Sequence, residues 1–197
     1  MDDKLHGIPR VDLETRPRWK RDLAWWFGGK VLATARASAI WRKIAMPYEV
    51  PLIKATGGRA RLSVGIPIAV LTSTGARSGK TRQTALAYFT DGDDVVLIAS
   101  NYGQARHPGW YHNLRAHPEC ELYVGRRGGR FVAREVDGPQ RDRLYALAAS
   151  RLYPGWVAYG KRAEGVRRIP VLRLTPADPE KNSPHHVGSS YGGGGGI

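Results

Sequence analysis

Leu71-Thr72-Ser73-Thr74-Gly75-Ala76-Arg77-Ser78-Gly79-Lys80-Thr81-Arg82 sets the architecture of the chain. It follows the short apolar run Ile66 to Leu71 and precedes the alternating run Gln83 to Thr90. Its two glycines let backbone N–H groups turn inward and its three cations supply charge, so it reads as an anion cradle. A solvated charged turn is the competing reading. The nucleotide-binding P-loop fits neither by spacing nor by context. That motif needs four residues between its first glycine and the Gly-Lys pair, and it must open a helix. Here only Ala76, Arg77 and Ser78 intervene, and Thr81 to Thr90 carries β-branched and aromatic residues at strand spacing. The stretch therefore predicts strand–loop–strand and excludes a Walker NTPase.

Beyond it short strands succeed one another. Asp91-Gly92 signals a hairpin, and Val95 to Ser100 reads as a strand buried on both faces. Asn101 to Pro108 is a polar loop, and Gly109 to Ala116 a short helix stopped by Pro118. Cys120 to Gly125 and Arg130 to Val136 form a second hairpin around Arg126-Arg127-Gly128-Gly129. Gly138-Pro139 opens a helix with the stripe Leu144, Leu147, Ala148 and Leu152, and Ile169 to Leu174 is a last strand. About six strands with short turns predict an α+β, mostly β chain: a small antiparallel split β-barrel with flanking helices. The expected organisation is a flexible N-terminus at 1–17, a basic amphipathic helical extension at 18–61, the barrel at 62–177 and a disordered tail at 178–197.

Among 197 residues there is one cysteine, Cys120, which excludes an internal disulfide and fits a reducing, cytoplasmic setting. The start Met1-Asp2-Asp3-Lys4 lacks an apolar signal region, and no run is long and apolar enough to span a membrane. A net charge of +14 implies an anionic partner. The cations concentrate in the extension, where Trp25, Trp26, Phe27 and Trp41 stand among Arg18, Lys20, Arg21, Lys30, Arg36, Arg42, Lys43, Lys54, Arg59 and Arg61. Leu32, Ala35, Ala39, Ile40, Trp41 and Ile44 recur at helical spacing, with breaks expected at Gly28-Gly29 and Pro47. Two readings stay open: a helix lying peripherally on the inner membrane face, or one packed on its own domain with tryptophans in the core. Nucleic acid is not an expected partner, because stacking aromatics are not interleaved with basic strands.

The chemistry-bearing residues are few. None of the six histidines forms the paired spacing of a zinc hydrolase helix, and His185-His186 reads as solvated tail, so no metal site is expected. No nucleophile elbow or glycosidase-like carboxylate pair is present. Any chemistry therefore rests on a cofactor. Tyr153, Trp156 and Tyr159 share one face of a helical turn, either as a core stripe or as the wall of a planar ligand site. Pro154, Gly155 and Gly160 favour a loop-like, partly open element there.

Gly75-Ala76-Arg77-Ser78-Gly79 with Arg82, Ala99-Ser100, Pro108-Gly109-Trp110-Tyr111-His112-Asn113-Leu114, Tyr153-Pro154 with Tyr159, and Ile169-Pro170-Val171 together resemble the deazaflavin-dependent nitroreductase family over about Ile66 to Pro176. The resemblance implies a split barrel that uses coenzyme F420, a low-potential hydride carrier with a phosphate and a polyglutamate tail. It implies phosphate and tail contacts from Ala76, Arg77, Ser78, Lys80 and Arg82, and a ring-facing strand Gln83-Thr84-Ala85-Leu86-Ala87. Ile98-Ala99-Ser100-Asn101 and Gly109-Trp110-Tyr111-His112-Asn113 complete the implied cofactor pocket. Tyr153, Trp156 and Tyr159 are the implied substrate residues, and Ser100, Tyr153 and Tyr159 the implied catalytic ones. Family members active on nitroimidazoles tend to have tyrosine where Trp156 stands, and Ala76 replaces a common cation. The expected reaction is hydride transfer from reduced F420 to a quinone, an enone or a nitro-aromatic, with a lipid-soluble quinone suiting the basic extension. A homodimer is compatible with the fold. A flavin mononucleotide or pyridoxal phosphate barrel, and a non-catalytic F420 or lipid carrier, remain alternatives.

Overall fold

The computed structural model describes residues 4–17, 19, 22, 26, 34–63 and 65–177. Trp25, Phe27, Gly28-Gly29, Leu32, His185-His186 and the tail at 178–197 lie outside the described residues. Six strands close a barrel in the order β3-β4-β5-β8-β7-β6, every neighbouring pair antiparallel. They are β3 (Ile68–Thr74), β4 (Thr81–Asp91), β5 (Asp94–Ile98), β6 (Glu119–Val124), β7 (Arg127–Val136) and β8 (Val171–Pro176). The register pairs Leu71 with Thr84 and Thr74 with Thr81, so residues 75–80 turn the chain between β3 and β4. That is the strand–loop–strand expected from the sequence.

Alternation explains why the barrel has a core on both faces of one strand. In β5, Val95 and Leu97 join Leu71, Tyr88, Leu122, Phe131, Leu172 and Leu174 inside the barrel. Val96 and Ile98 face the other way, into a second cluster with Phe89, Leu144, Ala148, Leu152 and Trp156. Helices α4 (Gly138–Leu147) and α5 (Gly155–Ala163) supply that outer layer, joined by a wide turn at Ala148–Leu152. Helix α3 (Gly109–Ala116) buries Trp110, Tyr111 and Leu114.

Three expectations need correction. The segment expected to be a loose lead-in is a paired strap: β1 (Lys4–Leu5) and β2 (Ile8–Pro9) form a hairpin, and Leu5, Ile8 and Leu13 are buried. The Tyr88 hydroxyl donates to the Pro9 carbonyl at 3.1 Å, and Thr90 N–H to the Val11 carbonyl at 2.9 Å. Second, Gly128 and Gly129 belong to β7 and not to a turn, which occupies Gly125 and Arg126. A Cβ on Gly128 would stand 2.0 Å from the Leu122 carbonyl oxygen, and one on Gly129 3.0 Å from His6. Gly128 thus answers the close approach of the paired strand β6, and Gly129 that of the strap. Third, the partly open element expected around Tyr153, Trp156 and Tyr159 is largely helix: Trp156 and Tyr159 lie in α5, and Tyr153 is an extended residue just before it. Pro154 caps helix α5, and all three aromatics are buried.

Ahead of the barrel lie α1 (Ala35–Ile44), capped by the Thr34 hydroxyl accepting from Ala37 N–H, and α2 (Met46–Ala55), with Pro47 in its first turn. Trp41 is half-buried, whereas Trp19, Trp26, Ile40, Ile44 and Tyr48 are exposed. The fully buried Glu49 carboxylate accepts from Leu62 and Ser63 N–H at 3.1 and 3.4 Å, tying the linker to α2. No helix among the described residues is long and apolar enough to cross a membrane.

Candidate functional site

A single cavity of about 1380 Å³ runs from the β3–β4 turn to the aromatics of α5. At one end the turn is built by two backbone bonds, Gly75 N–H to the Lys80 carbonyl (2.9 Å) and Gly79 N–H to the Gly75 carbonyl (2.8 Å). Gly79 has φ +63°, which a side chain would strain, and a Cβ on Gly75 would stand 2.6 Å from Ser78 Oγ. Ala76, Arg77, Ser78 and Arg82 line this end. Asn113 of α3 fixes the turn from outside: its Oδ1 accepts from Ala76 N–H at 3.0 Å and its Nδ2 donates to Ser73 Oγ at 3.3 Å.

The middle of the cavity is a strand face. Gln83, Thr84, Ala85, Leu86 and Ala87 line it, opposed by Ile98, Ser100, Asn101, Gly109, Trp110, His112 and Asn113. Beyond them lie Tyr153, Trp156 and Tyr159. Tyr159 touches both Tyr102 and Tyr153, with ring centroids 5.7 and 6.1 Å away, and Tyr153 meets Trp156 edge-on at 6.2 Å. Burial pushes the Tyr153 hydroxyl well above the ordinary phenol range, helped by its hydrogen bond with Tyr159. Tyr102 is raised in the same way, first by burial and then by Tyr159. Both phenols therefore keep their protons throughout the neutral range.

Nineteen of the residues singled out from sequence line this one cavity; Lys80, Ala99 and Tyr111 do not. Lys80 sits on the exposed side of the turn, and Ala99 is wholly buried. Tyr111 turns away, its hydroxyl donating to Glu135 Oε2 at 2.9 Å. Sequence reading missed Trp41, Arg42 and Met46 of the helical extension, Ser63 and Ile66 of the linker, and Tyr102, Gln104, Arg106 and His107 of the loop after β5. With the Gln104 amide oxygen turned toward α1, it accepts from Arg42 Nε and Nη2 at 3.1 and 2.8 Å, so helix and loop close together over the aromatic end. Trp41 with its neighbouring cation gave a helical signal, but nothing in its spacing tied it to a loop some sixty residues on.

Such a cavity suits a long ligand with an anionic end and a planar, apolar end. Guanidinium groups and a glycine turn serve the first, and a strand face with buried aromatic rings the second. Among the described residues no group of three or more histidine, cysteine, aspartate or glutamate side chains is placed to hold a metal ion.

A family model described as F420H(2)-dependent quinone reductase matches residues 45–176. An F420H(2)-dependent quinone reductase of Mycobacterium tuberculosis is 35% identical over 128 residues, which cover 63% of this chain and 85% of that one. A second Mycobacterium tuberculosis protein is 37% identical over 118 residues, covering 56% of this chain and 91% of its own. Among solved structures, an F420-H2 dependent reductase (FDR-A) aligns with a TM-score of 0.49 at 33% identity, over 55% of this chain and 93% of that one.

Proposed function

Because the chain belongs to the F420H(2)-dependent quinone reductase family, and is thereby an oxidoreductase using reduced coenzyme F420, we propose that it reduces a quinone held at the aromatic end of its cavity. The observation that carries this reading is that the cationic turn and the three buried aromatics, far apart in sequence, open into one continuous cavity.

The residues fit the cofactor. Arg77 and Arg82, with Ser78 and the turn's backbone, would hold the phosphate and the acidic tail. Charge-assisted hydrogen bonds of this kind contribute about 1.5–3 kcal/mol each. The Gln83–Ala87 face and Trp110 would take the deazaflavin ring. When bound, coenzyme F420 supplies a hydride from that ring. The chain's own part is to position and to protonate. Tyr153, Trp156 and Tyr159 form an apolar wall on which a planar acceptor can stack, which orders the reactants and excludes water. Ser100 and the phenols of Tyr153 and Tyr159 would donate hydrogen bonds to the acceptor oxygen where negative charge develops. Burial keeps the Tyr153 proton in place until such charge appears.

The acceptor class is tested by turnover of F420H2 with menadione, cyclohexenone and a nitroimidazole under identical conditions. A quinone preference supports the reading, and equal or faster turnover of the nitroimidazole would count against it. The exposed Trp19, Trp26, Ile40, Ile44 and Tyr48, with Arg36 and Lys43 among them, favour peripheral contact with an anionic bilayer, from which a lipid-soluble quinone could be drawn. Flotation with anionic vesicles checks this: the full chain should float, and an Ile40→Ser/Ile44→Ser variant should float less. Equal partitioning of the two would remove the membrane from the account.

A further inference from the structure

The loop after β5 is strained where it meets the cavity. Asn101, Tyr102 and Gly103 are successive left-handed residues with φ of +44°, +58° and +74°. Glycine tolerates this and asparagine does so moderately, but for a bulky tyrosine it is an outlier that persists only when its surroundings hold it. Gly103 packs closely on α5, where a Cβ would stand 2.7 Å from the Tyr159 carbonyl oxygen, so no side chain fits there.

What holds the loop is a side chain that does not line the cavity. Arg167, half-buried in the segment between α5 and β8, reaches the loop with its whole guanidinium. Its Nε donates to the Gln104 carbonyl at 2.7 Å, Nη2 to the Ser100 carbonyl at 2.6 Å, and Nη1 to the Ala99 carbonyl at 3.3 Å. Nη1 also lies 3.1 Å from His107 Nδ1. A guanidinium can only donate, so Nδ1 accepts and the imidazole proton sits on Nε2. One rigid planar fork thus fastens four residues spanning the strained turn, three of which line the cavity.

We infer that Arg167 is the positioning residue for the acceptor end of the site, setting Ser100 and Tyr102 by clamping the Ala99–His107 loop from behind. The inference rests on the proposed placing of the acceptor against Ser100 and the aromatics. Cofactor grip lies mainly elsewhere, on the β3–β4 turn, the β4 face and Trp110, so the two functions separate. A displacement of this loop by an ångström is enough to cost about a hundredfold in turnover while leaving the phosphate end intact.

The test uses the purified full chain, Arg167→Met, Arg167→Lys, and Arg168→Met as a control, since Arg168 is exposed and bonds Asp142 on the surface. F420 affinity is read by fluorescence titration, and kcat and KM by menadione reduction. Arg167→Met should keep its F420 affinity within about threefold while kcat/KM for menadione falls about tenfold to a hundredfold. Arg167→Lys, which retains a donor but not the fork, should recover part of that loss, and Arg168→Met should match the unaltered chain. Menadione kinetics unchanged in Arg167→Met, or F420 affinity falling in parallel with kcat/KM, would overturn the positioning role. So would failure of both Arg167 variants to fold, because the residue would then be general scaffold. If the unaltered chain does not bind F420, it is the proposed site that fails, and not the clamp.

Discussion

Gly155 lies flat against the ring of Tyr153: a Cβ at position 155 would stand 2.2 Å from Cε1 and 2.6 Å from the hydroxyl oxygen. The first residue of α5 is therefore glycine because the phenol occupies the space a side chain would need. Two effects of Gly155→Ala oppose one another. Helix propensity favours alanine by about 1 kcal/mol, whereas overpacking a filled site costs about 1–3 kcal/mol and pushes Tyr153 aside. Overpacking wins. The variant should be less stable in urea and should show a raised KM for the quinone with little change in F420 affinity.

The two cations of the turn are predicted to differ. Arg77 lines the cavity and Lys80 does not. Arg77→Ala should weaken F420 binding by about 1.5–3 kcal/mol, the range for hydrogen bonds to charged groups. Lys80→Ala should change it by less than about 0.5 kcal/mol, as expected of a screened surface charge. Fluorescence titration of the two variants side by side separates them, and equal losses would mean that the turn attracts the tail only by general charge.

The N-terminal strap should matter for stability and not for ligand binding. Ile8 is fully buried under the barrel, and Lys4 is exposed. Ile8→Ala should cost about 2–4 kcal/mol by lost burial and the cavity left behind, measured by urea unfolding. Lys4→Ala should stay within about 0.5 kcal/mol.

Cys120 gives a pH prediction whose sign follows from linkage. Burial pushes its thiol up to about 12, so the folded chain retains a proton that the unfolded chain loses near its ordinary value. The stabilisation is complete below the unfolded pKa and is lost as pH rises toward the folded value, by about 1.4 kcal/mol per pH unit for a single group. Cys120→Ala should lessen this alkaline loss. The thiol of the native chain should also resist a disulfide reagent at pH 8 and react once urea is added.

The sequence and the structure agree where one physical rule dominates. The barrel strands are legible because alternation and tight turns leave few alternatives, and Val95 to Ile98 announces a strand buried on both faces. The Leu71–Arg82 turn is legible because a failed P-loop spacing followed by β-branched residues admits only a hairpin. Two kinds of feature resist such reading. Gly128 and Gly129 look like turn residues but lie in β7, where Gly128 is crowded by Leu122 and Tyr123 of the paired strand and Gly129 by His6 of a strap more than a hundred residues earlier in the chain. The part of the site built by Arg42, Gln104 and Arg167 depends on side chains meeting across distant segments, for which no local pattern exists. Tyr153, Trp156 and Tyr159 fall between these cases: their spacing is helical, but only Trp156 and Tyr159 lie in α5, and Pro154 and Gly155, which mimic a loop, open that helix just after the extended Tyr153.

The most direct measurement follows F420H2 oxidation by menadione at the visible band of the oxidised cofactor, with the full chain and with an Arg77→Ala/Arg82→Ala variant. The account predicts oxidation that scales with the amount of the full chain, saturates in both cofactor and quinone, and is largely lost in the variant at cofactor concentrations that saturate the unaltered protein. A rate no different from that of cofactor and quinone alone, or a double variant as active as the unaltered chain, would contradict it.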